Sequence, residues 1–485
     1  MKALPPELWE LIVNKLERED QKTCRLLSKL HHDFTTRALF AHVNVYFELR
    51  RKNNATWEIL RHISFSPDFA KLVKELNVWA YLPVSPGGRL GEDIFHSRAL
   101  VEALQALPNL RAFRWHGHSP ALSQYVLMAL AKASGPSLKE LHIPIKATTV
   151  HCLSAFSGMQ ELCSVECFDF GPSHGDNCAL QMAVDGMSRT LRRIALVGDA
   201  IWRCSIQSML GLQELEVIFP RTAWDLGLVC RHCVSLRSLT LFTRARDEFL
   251  SALQADPTAL PDLRALKFIY WSKQETFSGQ HAQILANFIE NKRDLVSLDI
   301  EINGQGDETC DKPLLEAIAY LPHLEVLGFS LARSAWAPGD IKFFREHLPC
   351  RLTALRISLS FAKADNDVFL QEWFSLIQDL TSLRYLHIFD SLRTCDLRRR
   401  ILDDPPTSLE LFGYGPFLRW LVHHRGDDPG DDPPKYSPYW PPSKVKFRSV
   451  EDFGCAEWEW LLRWYGDFTP GLFNWFNLYR DTLLE

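Results

Sequence analysis

The residues whose types could do chemistry are scattered, and few stand at useful spacings. Cys230 and Cys233, with His232 between them, form a C-x-x-C pair. Two thiolates at that spacing make half of a structural zinc site, which needs a second pair. The nearest supply is Cys163, Cys167, His174 and Cys178, whose spacing matches no standard ligand pattern. Asp427, Asp428, Asp431 and Asp432 offer carboxylates for calcium, but Pro429 and Pro433 break the ligand spacing such a loop requires. His31-His32 and His423-His424 lack carboxylate or cysteine partners at catalytic spacing. The chain carries no Gly-rich phosphate loop, no nucleophile elbow and no metal triad. The expectation is a non-catalytic chain with no metal and no cofactor.

The elements that must position these side chains repeat. "LVEALQALPNLRAFRW" (100–115) and "LLEAIAYLPHLEVLGF" (314–329) share six of sixteen positions. Looser copies fit L-x-x-L-x-L, with first anchors at Leu110, Leu138, Leu162, Leu191, Leu212, Leu236, Leu263, Leu295, Leu324, Leu352, Leu383 and Leu409, and a weaker copy at Val73. The spacing runs from 21 to 32 residues and averages about 27, near the leucine-rich-repeat range. Leu-x-Leu puts two side chains on one face of a short strand, and the segment before it carries helical periodicity. One strand and one helix cannot bury both apolar faces, so the units stack. The fold class is α/β, an irregular leucine-rich-repeat solenoid of about 12–13 repeats over 72–415. An Asn after the strand is missing from the copies except at Asn303, so another device must hold the turns.

A solenoid is a binding surface, and two rows of it are candidates. The residue after each L-x-x-L-x-L gives Phe168, Val197, Ile218, Phe242 and Ile269, an apolar stripe for a protein substrate. A one-residue slip in register, or a covering segment of the same chain, would bury it instead. The residue inside each L-x-L runs Arg114, His142, Glu166, Ala195, Glu216, Thr240, Lys267, Asp299, Gly328, Arg356, His387. Its signs alternate, which speaks against a phosphopeptide reader. Residues 416–485 form a Pro/Asp-rich loop and a tryptophan-rich C-terminal cap holding Trp420, Trp440, Trp458, Trp460, Trp464 and Trp475, expected to hide the last core face.

With 485 residues, 46% hydrophobic and 23% charged, the chain reads as folded throughout. A net charge of −5 gives no electrostatic case for nucleic acid or an anionic membrane. The first residues lack the pattern of a secretory signal, so an intracellular location, cytoplasm or nucleus, is expected.

Residues 4–43 stand apart. Pro5 and Pro6 suit the first turn of a helix carrying Leu8, Leu11, Ile12 and Leu16. Asp20 is placed to cap a second helix with Leu26, Leu27 and Leu30, and a third carries Phe34, Ala38 and Leu39. Three short helices make a core that needs a partner. The order Leu4-Pro5-x-Glu7-Leu8, Ile12, Leu16, Asp20, then Arg25-Leu26-Leu27-Ser28-Lys29 and Leu39-Phe40, resembles the F-box family, departing at Gln21 where that family has an aliphatic residue. The resemblance implies an F-box over 1–47, a helical linker over 48–71, and a substrate receptor of a Skp–cullin–F-box ubiquitin ligase. By that resemblance Leu4, Pro5, Leu8, Ile12, Leu16, Leu26 and Leu27 meet the Skp-type adaptor, and the repeats select an unknown protein substrate. The alternative is a leucine-rich interaction scaffold outside ubiquitin transfer, with residues 4–43 as a solenoid cap.

Overall fold

The computed structural model of the chain describes residues 5–13, 16, 18–47, 54–81, 90–145, 147–164, 174–218, 220, 226–243, 246–271, 276–303, 310–330, 338–359, 367–390, 395–415, 417–422, 435–436 and 457–463. It divides into two compact units, Met1–Gly211 and Leu212–Glu485. No helix among the described residues is long and apolar enough to cross a membrane.

The first unit opens on helices Pro6–Val13, Arg18–Cys24 and Lys29–Ala41. Asp20 lies inside the second helix and does not cap it, because that helix starts two residues earlier. Ser28 caps the third, its hydroxyl accepting from the His31 N–H. Gln21 has a job an aliphatic residue could not do: its Nε2 donates to the Val13 and Leu16 carbonyls at 2.9 and 3.1 Å, closing the end of the first helix.

The third helix runs directly into β1 (His42–Phe47), followed by β2 (Glu75–Tyr81), β3 (Ala112–Ser119), β4 (Glu140–His142), β5 (Glu161–Cys163) and β6 (Arg193–Val197). Consecutive strands pair in parallel. The sheet therefore begins 30 residues before the boundary expected at 72. Val43, Val45 and Phe47 are buried in strand alternation. The helix Asn54–Phe65, expected as a linker, belongs to this first repeat.

The second unit continues with β7 (Glu214–Ile218), β8 (Ser238–Thr243), β9 (Ala265–Trp271), β10 (Ser297–Asn303), β11 (Val326–Ser330), β12 (Ala354–Leu359), β13 (Tyr385–Asp390) and β14 (Leu411–Tyr414), again in parallel order. Leu215, Leu239, Leu266, Leu298, Leu327, Leu355, Leu386 and Phe412 fall in one register row and are buried. Each such side chain contributes roughly 1.5–3 kcal/mol by leaving water. The face they define is packed by the repeat helices, as Phe268 meets Phe249 and Phe329 meets Phe344. The parallel order stops at Tyr414, where β15 (Phe417–Val422) pairs antiparallel and β16 (Lys435–Tyr436) pairs antiparallel with it. The reversal covers an edge that would otherwise present unpaired strand groups. A short edge strand at Lys435–Tyr436 thus interrupts the stretch 425–443, expected as loop.

Successive repeats are joined through the backbone at the strand entries, ahead of the position where the Asn would stand. One carbonyl of each repeat accepts two successive N–H groups of the next: Arg111 from Lys139 and Glu140, Gln160 from Arg192 and Arg193, Arg264 from Val296 and Ser297, Thr353 from Arg384 and Tyr385. The same fork sets one correction. Leu162 pairs with Leu141 and Ile194, which are second anchors, so the first anchor of that repeat is the buried Met159. Met fills a leucine hole, and the L-x-x-L template slid three residues past it.

Candidate functional site

Three places on the chain gather the residues singled out above. The first is the N-terminal helical segment. Leu8, Leu11, Ile12, Leu26, Leu27 and Leu30 are six of the fifteen large apolar side chains exposed among the described residues. Leu26 reaches 85% exposure and Leu27 65%, because both sit in the turn after the second helix rather than within it. Pro5 is exposed and Leu16 half-buried, while Leu4 lies outside the described residues. Trp9 meets His31 edge-on at 4.6 Å, tying the first helix to the third. What these helices share internally is therefore small, and their leucines face outward.

The second place, within the first unit, is the face of β2–β6 opposite the buried row Leu76, Phe113, Leu141, Leu162 and Ile194. Arg114 donates to Glu75 at 3.0 Å and to Glu140. Glu161 Oε1 lies 2.7 Å from His142 Nε2 and accepts from Arg193 Nη1 at 2.7 Å, with Cys163 Sγ at 3.7 Å. The strand register places Cys163, not Glu166, beside His142, the consequence of the Met159 anchor; Glu166 lies outside the described residues. His142, Glu161 and Cys163 are close enough to hold a metal ion among the described residues. The donor set argues otherwise, since a cation there would have to displace a guanidinium from the same oxygen. Tyr46, Trp79 and His116 stack in register on neighbouring strands, a feature the leucine template gives no signal for.

Burial by itself would raise the Glu161 carboxyl, but the His142 hydrogen bond and the Arg193 charge outweigh it and hold it at about 2, below the ordinary 4.5. The depressed value means that this carboxylate stabilises the folded state fully above pH 4.5 and loses its contribution as pH falls from there towards 2. A Glu161→Gln chain is expected to unfold at a lower temperature at pH 7 and to show a shallower fall in midpoint between pH 4.5 and 2.5, read by circular dichroism. Parallel curves for the two chains would contradict this.

The C-x-x-C pair does not join any site. Cys230 and Cys233 are both buried, and burial pushes their thiols up to about 12 and about 11. Groups held protonated to that degree are apolar packing. Cys167 and the acidic cluster 427–432 lie outside the described residues, as do the side chains of His174 and Cys178.

The third place, within the second unit, is the face of its strands opposite the leucine row. Lys267 on β9, Asp299 and Glu301 on β10 and Arg356 on β12 form one buried network: Lys267 Nζ to Asp299 Oδ2 2.9 Å, Arg356 Nη2 to Asp299 Oδ1 2.7 Å, Arg356 Nη1 to Glu301 Oε2 3.1 Å. Arg356 reaches Asp299 across β11 because the residue between them in register is Gly328, where a Cβ would overlap the Asp299 carboxylate. His387 lies over Gly413 in the same way and bonds the Gly415 carbonyl and the Tyr385 hydroxyl at 2.8 and 2.9 Å. Burial pushes the His387 imidazole down to about 3, so it is neutral.

The C-terminal helix Glu457–Leu462 lies on this face. Trp458, Leu461 and Leu462 pack on Val326, Ala354, Tyr385, Leu411 and Leu418, with Trp460 at the edge. Lys267 Nζ donates to the carbonyls of Trp460, Leu461 and Arg463 at 2.6, 3.1 and 3.1 Å, with the Trp460 ring 4.8 Å away. Arg463 pairs with Glu216 on β7 at 2.9 Å. This segment, expected over the last core face, instead fills the inner face. Trp440, Trp464 and Trp475 lie outside the described residues.

Among solved structures the chain is similar to the leucine-rich repeat-containing protein LegL7 from Legionella pneumophila, at 12% identity over 67% of this chain and 96% of that one, with a TM-score of 0.35. It is similar also to TLR13 in a TLR13–ssRNA13 complex, at 14% identity over 70% of this chain and 48% of that one, with a TM-score of 0.28. No protein-family model and no curated protein matches the chain. The leucine-rich-repeat assignment rests on the strand register itself.

The apolar stripe is not an open surface. Val197, Ile218, Phe242 and Ile269 are all buried, and the last three share a register row with Glu301 on the inner face. Phe168 lies outside the described residues. Ile218, Phe242 and Ile269 lie opposite the leucines, on a face that is buried.

Proposed function

We propose that the chain is the substrate-recognition subunit of a cullin-type ubiquitin ligase, with the N-terminal helices meeting a Skp-type adaptor and the repeats binding a protein substrate. The observation that carries this reading is the group of leucines and Ile12 turned to solvent between residues 8 and 30. A segment serving only to cap a repeat would turn those side chains toward the repeat. Leaving six of them in water is costly for a small three-helix unit and is offset when a partner covers them.

The receptor role needs no chemistry from the chain: it holds a substrate close to the charged conjugating enzyme and raises its effective concentration there. Mixing the purified chain with a purified Skp-type adaptor tests the reading. A one-to-one complex is expected on size exclusion, and Leu8→Asp with Ile12→Asp is expected to weaken it at least about a hundredfold, since each change places a carboxylate in a desolvated contact. Absence of a complex with the folded wild-type chain would leave a leucine-rich interaction scaffold.

A further inference from the structure

Charged side chains on a buried face need partners, and on the inner face of the second unit these come from the strands and from the C-terminal helix together. Asp299 is satisfied by Lys267 and Arg356, and Arg356 also by Glu301. The Lys267 ammonium has three donors and gives Asp299 one. It donates as well to the Trp460, Leu461 and Arg463 carbonyls. Those are groups that a helix leaves unpaired at its C-terminal end. The sheet thus provides a cationic cap for a helix C-terminus, the end where positive charge is favoured. That part of the contact reads backbone, which every helix has. Sequence is read through the apolar seat that Trp458, Leu461 and Leu462 fill.

The present occupant has no helical stability of its own. Glu457–Leu462 is six residues long, well under the roughly 12–15 at which an isolated helix persists in water. Its folding and its docking are one event, and the ordering cost is set against the contacts it makes. A helix already formed within a folded partner would bring the same anchors without that cost.

We propose that the inner face of β9–β14 is a helix-binding site, that Glu457–Arg463 fills it as a tethered competitor, and that its external partner is a protein helix carrying Trp-x-x-Leu-Leu immediately before its C-terminal end. The inference deepens the receptor reading and rests on it only in calling that partner a substrate. A tether gives the internal helix an effective concentration on the order of millimolar, so an external helix binds the intact chain weakly until the internal copy is loosened.

The test uses the full-length chain and a labelled synthetic peptide of residues 456–464 as the probe. Trp458→Ala is expected to bind the peptide at least about tenfold more tightly than the wild type, because the internal competitor is weakened. Adding Lys267→Met to that variant is expected to remove the gain. Millimolar peptide added to the wild-type chain is expected to speed hydrogen exchange of the 457–463 amides. Equal or absent peptide binding by a Trp458→Ala chain with wild-type circular dichroism overturns the proposal. If that variant misfolds, the exchange measurement on the wild type decides, and unchanged exchange overturns it. Adaptor binding on the same samples separates the two readings: adaptor retained with no peptide effect refutes this proposal alone, and peptide captured without adaptor refutes the ligase role alone.

Discussion

Asp299→Asn is expected to cost the chain roughly 3–5 kcal/mol, the range found when one partner of a buried ion pair is removed. Asp299 is wholly buried, and its two oxygens take Lys267 and Arg356, each about 1% exposed. Burial alone would raise its carboxyl, yet Arg356 and Lys267 outweigh that and hold it below its ordinary value. Asparagine keeps the shape and loses the charge, leaving two cations beside each other on a buried face. The midpoint of urea unfolding, followed by circular dichroism, is the measurement. The informative comparison is a quadruple change, Asp299→Leu with Lys267→Met, Arg356→Leu and Glu301→Gln, which removes the four charges together. It is expected to recover most of the loss, because replacing a whole buried charge set by apolar residues is often neutral. A single change that shifts stability by less than about 1 kcal/mol would mean that the carboxylate is not the hub of this face.

The leucine row was legible because it repeats: Leu239, Leu266 and Leu298 occupy equivalent positions and line up in register, so their shared burial follows from alternation. Where a repeat departs in one residue, the template misplaces it, as with Met159 standing for the first leucine. β1 was missed for a different reason. His42–Phe47 closes the segment that resembles an F-box, and it has no leucine anchor, so its Val-x-Val alternation was absorbed into the helical unit. Taken residue by residue, the inner row shows only alternating charge, which speaks against a phosphopeptide reader and nothing more. Its meaning lies between repeats, where Lys267, Asp299 and Arg356 meet only after the strands are in register and only because Gly328 offers no side chain. The C-terminal helix was expected at the end of the stack because its tryptophans demand burial. They are buried against partners distant in sequence, Lys267 some 190 residues away among them, and no local pattern carries that pairing.

Gly328→Ala is expected to destabilise by roughly 2–4 kcal/mol, from overpacking together with the disturbed ion pair. Position 328 is not a turn, so the glycine is not needed for its backbone angles. It is needed because Arg356 crosses β11 to reach Asp299, and a methyl group there would overlap the carboxylate and stand 3.1 Å from Arg356 Nε. Both partners are buried and held by other groups, Asp299 from its far side by Lys267 and Arg356 at its second nitrogen by Glu301, which leaves little room to retreat. Gly186→Ala is the matched control: it sits in the helix His174–Met187 with nothing near its added Cβ, and is expected to gain about 0.4–1 kcal/mol. Urea midpoints for the two variants should therefore move in opposite directions. The Gly328 variant should also show faster hydrogen exchange at residues 457–463, because a displaced Asp299 takes with it the Lys267 ammonium that caps the C-terminal helix. Unfolding that is weakened with those amides still protected would mean that the helix is held by its apolar seat alone, and that the lysine follows the helix rather than holding it.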